Sequence, residues 1–139
     1  MEWKWFTMKE MTRSQTAEKY NLDNTPGNWE TENLDKLVKN ILDPLRESWC
    51  SPIRVTSGYR CYTLNKLVGG SKKSQHLSGK AADIQPIGRS FDEFKRFIVE
   101  WLNDKQFDQC IIESDRNSKW IHISYDETRN RRSIFSITK

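Results

Sequence analysis

Apolar residues change period along this chain, and that change limits the folds open to it. Leu34, Leu37, Val38, Ile41, Leu42 and Leu45 recur at helical spacing, as do Phe91, Phe94, Phe97, Ile98 and Trp101. Both stripes predict amphipathic helices with one face on a core. Thr31 reads as the N-cap of the first, with Pro44 kinking it or standing near its end. Ser90 reads as the cap of the second, which runs to about Asn103. From Phe107 the pattern becomes strand-like. Residues 107–113, 119–125 and 133–138 read as strands, and 114–118 as the hairpin loop joining the first two. Upstream, residues 8–20 read as a short helix, 21–28 as a loop and 53–56 as a strand broken by Gly58. Residues 59–68 read as a helix or helical turn, 69–74 as a flexible loop, and 81–85 as a buried strand closed by Pro86. Helices, then mixed elements, then a run of strands predict an α+β fold with an antiparallel sheet. The length of 139 residues predicts a single domain, 1–139.

Composition narrows the function classes. Hydrophobic residues make up only 35%, but six Trp, six Phe and four Tyr supply bulk for a core. No run of about 18 apolar residues occurs, so no membrane span is expected. The first residues lack the apolar stretch of a signal peptide, which predicts synthesis in the cytoplasm without one. A net charge of +4 suits anionic polymers, nucleic acid and bacterial wall among them. The basic residues are scattered and no nucleic-acid reading motif occurs, so no nucleic-acid partner is expected. The run 129–132 reads as a solvated turn. Cys50, Cys61 and Cys110 are odd in number and form no CxxC pair. They read as buried reduced thiols, with a Cys50–Cys61 bridge still open.

The chain has two histidines, His76 and His122. His76 precedes Asp83 by seven residues, and Gly79 permits a tight turn between them. On strand 81–85, Ala81, Asp83 and Gln85 share a face; on the later strand, His122 shares a face with Trp120 and Ser124, leaving Ile121 and Ile123 for the core. Imidazole nitrogen and carboxylate oxygen suit zinc, which polarises water when three protein ligands leave a position open. Spacing alone also fits ordinary structural histidines.

Longer motifs add to this. Ser74, His76, Gly79, Ala81 and Asp83 match an SxHxxGxAxD signature. Thr56-Ser57-Gly58-Tyr59-Arg60 and Leu64-Asn65-Lys66-Leu67-Val68-Gly69-Gly70 precede it, and Trp120-Ile121-His122-Ile123-Ser124 follows. In this order the segments resemble the zinc D-alanyl-D-alanine carboxypeptidase family, of Hedgehog/DD-peptidase fold. The stretch from Phe6 to Ser14, and Asp23-Asn24-Thr25-Pro26 after it, are similar to a phage and prophage branch.

The resemblance implies an antiparallel sheet with flanking helices. It implies a zinc peptidase hydrolysing peptide bonds in peptidoglycan stem peptides or cross-links, as a D,D-carboxypeptidase or an endopeptidase. His76, Asp83 and His122 would hold Zn2+. Arg60 would contact the substrate or the oxyanion, its other reading being a surface salt bridge. Ser74 would line the cleft or cap a turn. Many relatives carry a glutamate three residues before the last histidine, where this chain has Lys119. Asp108 to Glu113 is similar to the DQ…E strand of the phage branch, and a hairpin would bring its end toward the strand bearing His122. Glu113 is therefore the expected general base, with Asp115 as runner-up and a plain salt bridge as the other reading. The implied partners are peptidoglycan peptides. The expected monomer would act at the bacterial cell wall, after release or as part of a phage particle. Hedgehog-type relatives keep the zinc site and act as ligands, so a non-catalytic zinc-containing binding module is the alternative.

Overall fold

The computed structural model describes residues 2–139. The chain begins with two short helices, α1 (Met8–Thr12) and α2 (Gln15–Lys19). Sequence reading expected one helix over 8–20. The chain breaks at Arg13, whose backbone is extended, and Ser14 then caps α2 by accepting from the Ala17 N–H. A serine that caps a new helix ends the old one.

The long stripe forms α3 (Asn28–Leu37), a π-helical segment (Val38–Leu42) and α4 (Asp43–Trp49). The helix starts earlier than Thr31, from an N-cap at Gly27. Pro44 stands in the first turn of α4 and does not end the helix. Proline has no N–H for the carbonyl four residues back. The turn before it is widened instead, and the Asp43 N–H bonds the Val38 carbonyl five residues away. The stripe still buries Leu34, Leu37, Val38, Ile41, Leu42 and Leu45 completely.

Strand β1 (Ile53–Ser57) leads to α5 (Tyr62–Leu67), a 3-10 turn (Gln75–Ser78) and β2 (Ala81–Pro86). Helix α6 (Phe91–Trp101) follows, capped by Ser90 as expected and extended by a 3-10 turn (Leu102–Asp104). Strands β3 (Gln109–Ser114), β4 (Lys119–Ser124) and β5 (Ser133–Thr138) close the chain. The sheet order is β1-β2-β4-β3-β5. The first four strands pair antiparallel, as expected, but β5 joins β3 in parallel. The eight residues 125–132 carry the chain past the start of β3, and because β4 has already reversed its direction β5 runs parallel to β3.

One face of the sheet carries Ala82, Ile84, Cys110, Ile121 and Ile123 into a core shared with the α3–α4 stripe, Phe94, Ile98 and Leu102. The alternate residues therefore face the other way. They include Asp83, Gln109, Ile111, Glu113 and His122, and that second face holds the cleft. The cysteines are all free. Only Cys110 is fully buried, where burial pushes its thiol up to about 12. Cys50 is exposed, against the expectation of burial, because it sits in a left-handed turn just past α4.

Candidate metal centre

Sheet register sets the first two functional side chains side by side. Asp83 on β2 lies directly opposite His122 on β4. Opposed residues of an antiparallel pair point to the same face within a few ångströms. The Asp83 Oδ1 atom lies 3.2 Å from His122 Nδ1. The third side chain arrives from the 3-10 turn before β2, and His76 Nε2 lies 3.3 Å from the same Oδ1. The three ligand atoms lie within 4.8 Å of one another, and all three residues are buried.

Local structure holds His76 in place. Ser74 caps its turn by accepting from the His76 N–H at 3.2 Å. Gly79 ends the turn in a left-handed conformation, with φ of 74°, and packs where a Cβ would lie 2.4 Å from the Glu30 carbonyl oxygen. The other ring nitrogen, Nδ1, lies 2.7 Å from the Gly58 carbonyl oxygen. A carbonyl only accepts, so Nδ1 carries the hydrogen, and Nε2 is the nitrogen aimed at Asp83. An imidazole nitrogen this close to a carboxylate oxygen needs a proton or a metal cation between them. A metal ion meets that need, and two imidazoles with one carboxylate form a donor set suited to zinc. The Nδ1–carbonyl bond is also the usual outer-sphere support of a metal-bound histidine. The residues present thus fit a metal. Burial is the largest influence on the Asp83 carboxyl and pushes its pKa up; His76 and His122 together outweigh it and hold the group well below the ordinary carboxylate value.

Arg60 reaches the same carboxylate from the side. Its Nη2 lies 3.5 Å from Asp83 Oδ2, Nε donates to Ser57 Oγ at 3.0 Å, and Nη1 donates to Asn65 Oδ1 at 3.1 Å. The β1 strand shifts register between Val55 and Ser57, which turns Ser57 toward this network. Burial lowers the Arg60 pKa, against the opposing pull of Asp83 and Glu113. The guanidinium remains charged at any ordinary pH.

Glu113 lines the cleft and is buried. It accepts from Trp120 Nε1 at 3.2 Å and pairs with Lys139 Nζ at 2.9 Å. Asp115 does not line the cleft. Its Oδ1 accepts from the Asn117 and Ser118 N–H groups at 2.8 Å each, which shapes the hairpin turn. Ser74 both caps its turn and lines the cleft, so its two expected roles coincide.

The cleft measures about 380 Å³. Arg60, Lys73, Arg131 and Lys139 line it, opposed by Asp83 and Glu113. Sequence reading missed several residues that shape it. Asn24 donates to the Thr12 and Tyr59 carbonyls and accepts from the Cys61 N–H, which fixes the segment bearing Arg60. Asn65 is buried and also donates to the Ser71 carbonyl, pinning the glycine loop. Asp108 bridges Gln75, beside His76, to Arg131. Asn24, Asn65 and Asp108 stood inside stretches that the resemblance covers; Arg131 lay in the run expected to be a solvated turn but is bound to Asp108 at the cleft, and nothing in the pattern pointed to Lys139.

The chain matches the Peptidase M15 family over residues 4–124. It belongs to that family. M15 membership implies a metallopeptidase, and M15 peptidases, among them the zinc D-alanyl-D-alanine carboxypeptidases, depend on zinc in general. No curated protein matches the chain. The M15 match takes in His76, Asp83, His122, Arg60 and Glu113, whereas Arg131 and Lys139 lie beyond it.

Proposed function

We propose that this M15 member hydrolyses peptide bonds in peptidoglycan stem peptides or cross-links, with zinc held by His76, Asp83 and His122. The carrying observation is the convergence of three ligand atoms beside a buried carboxylate, Glu113, in one cationic cleft. Zinc when bound would act as a Lewis acid and make water acidic near neutral pH. Glu113 would accept the proton from the attacking water and return it to the leaving amine. Trp120 and Lys139 hold its two oxygens and fix its direction. Arg60 would orient the substrate or stabilise charge growing on the scissile carbonyl, while its bond to Asp83 Oδ2 steadies the metal ligand. Ser74 would contribute a hydroxyl to the substrate wall of the cleft. The similarity of the opening segments to a phage and prophage branch favours action at the bacterial wall, after release or from a phage particle.

Elemental analysis should find one zinc per chain, lost in His76→Ala and in His122→Ala because two ligands hold the ion poorly. Mass spectrometry of purified wall should show new free amines that vanish with chelator. Full zinc in either variant would remove the triad. Lys119 stands where many relatives carry glutamate, and this observation supports a second reading, a non-catalytic zinc-containing binding module. Zinc bound without any released fragment would establish that reading instead.

A further inference from the structure

The four cations of the cleft are not equally free. Arg60 spends all three guanidinium nitrogens on Ser57, Asn65 and Asp83. Arg131 is fastened to Asp108 through Nε at 2.7 Å and Nη2 at 2.9 Å. Lys73 sits on the exposed loop before the 3-10 turn. Lys139 differs from all of these. Its backbone is fixed, because its N–H donates to the Ser114 carbonyl at 2.7 Å and continues the parallel ladder of β5 on β3. Its side chain is 56% exposed and reaches Glu113 on the neighbouring strand β3; the Glu113 side chain is 8% exposed. The ammonium also lies 5.6 Å from the centre of the Trp120 ring. A lysine is a point charge on a flexible stem and exchanges partners readily when half-exposed.

This pairing has a chemical consequence. While the pair holds, the ammonium occupies one of the two oxygens of Glu113. A second carboxylate is the group best able to draw Lys139 away and free that oxygen. We infer that Lys139 is a specificity-determining residue that recognises a free carboxylate on the substrate and moves from Glu113 to that carboxylate when the substrate docks. The inference rests on the reading of this cleft as the peptide site. It names the substrate class more narrowly: peptides with a free carboxylate near the scissile bond, in preference to the same peptides amidated there. It also gives the C-terminal segment, beyond the M15 match, a role in choosing substrate.

The test uses the zinc-loaded full chain and two synthetic stem peptides, one with free carboxylates and one with those carboxylates amidated. Stopped-flow tryptophan fluorescence reads binding before turnover, with Trp120 as the reporter beside Lys139. The wild-type protein should bind the acid about tenfold more tightly than the amide, the scale of one charge-assisted contact. Lys139→Met should shrink that ratio to about twofold or less, while Lys139→Arg retains most of it. An unchanged ratio in Lys139→Met, or no preference in the wild type, overturns the inference. The peptidase reading fails separately. If the acid binds through Lys139 but neither peptide is cleaved, this inference stands and hydrolysis does not. If both are cleaved with no acid preference, the reverse holds.

Discussion

Glu113 and Asp115 are two residues apart on the chain, yet they do different work. Glu113 faces the cleft between an indole N–H and an ammonium, whereas Asp115 closes a turn with two backbone N–H groups. Glu113→Gln keeps the size and a hydrogen-bonding group but accepts no proton. Zinc content should stay at one per chain while hydrolysis falls by roughly 10²–10⁴-fold, the usual worth of a general base. Asp115→Asn should leave the rate within about threefold, since turn residues touch no substrate. A silent Glu113→Gln would move the base elsewhere. A second residue-scale prediction concerns Asp108. Burial, its largest influence, raises its pKa, but bonds from Arg131 and Gln75 outweigh this and leave it below the ordinary value of 3.8. A depressed carboxyl adds stability that is fully present above the unfolded pKa and is lost as pH falls through the folded one. Arg131→Met strands the buried carboxylate and should cost about 2 kcal/mol near neutral pH, discounted because the arginine is half-exposed. Denaturant melts should show the gap between wild type and variant closing as pH drops below about 4, where Asp108 no longer needs its cation. A gap of constant size would mean that lost packing, not charge, is responsible.

Elements were legible where hydrophobic period decided them. The α3–α4 stripe, α6 and the alternation on β2 and β4 were all visible in the sequence, and strand β5 has the bounds expected of it, Ser133–Thr138. Three features were not visible. Ser14 reads equally well inside a helix or as a cap, and the structure uses it as a cap. Pro44 announces a disturbed helix, but whether the helix ends or widens depends on packing across the turn before it. The direction of β5 has no signature at all, since a period of two is the same for parallel and antiparallel partners. The candidate ligands were legible because their motif lies in two short stretches of chain. Their support was not, because it comes from backbone atoms. The Gly58 carbonyl that holds His76 Nδ1 is one such atom. A Cβ at Gly58 would lie 2.2 Å from the Met11 carbonyl oxygen, so α1 rests directly on this residue. Gly58→Ala should push α1 off the β1 end and turn the carbonyl away from His76. Thermal melting should report a loss of about 2 kcal/mol, in the range of overpacked sites. Chelator competition should report zinc affinity roughly 10–100-fold weaker, the usual cost of losing a metal ligand's outer partner. Unchanged zinc affinity would mean that the ring keeps its orientation without Gly58.

At the scale of the whole molecule the question is how a cleft this small would meet the proposed substrate, a polymer as large as a wall. The net charge of +4 is spread over the surface, but four of its cations converge on the cleft. Two carboxylates offset them only in part, and a bound zinc ion would make the cleft more positive still. A concave cationic site focuses its field outward and draws anionic polymers toward it. Screening reaches the scale of the cleft itself at modest salt, since the Debye length is about 10 Å at 0.1 M and roughly 3 Å at 1 M. Two assays should therefore diverge. Digestion of intact wall depends on repeated encounters between large charged bodies, so its rate should fall steeply, by about tenfold, between 0.05 and 0.5 M salt. Hydrolysis of a short uncharged peptide at saturating concentration depends on groups already in contact, so it should change by less than about twofold over the same range. Turbidity clearing of wall suspensions and chromatography of the peptide products would measure the two in parallel. Equal salt dependence in both would place the electrostatic contribution inside the catalytic step and remove the steering role of the surface charge.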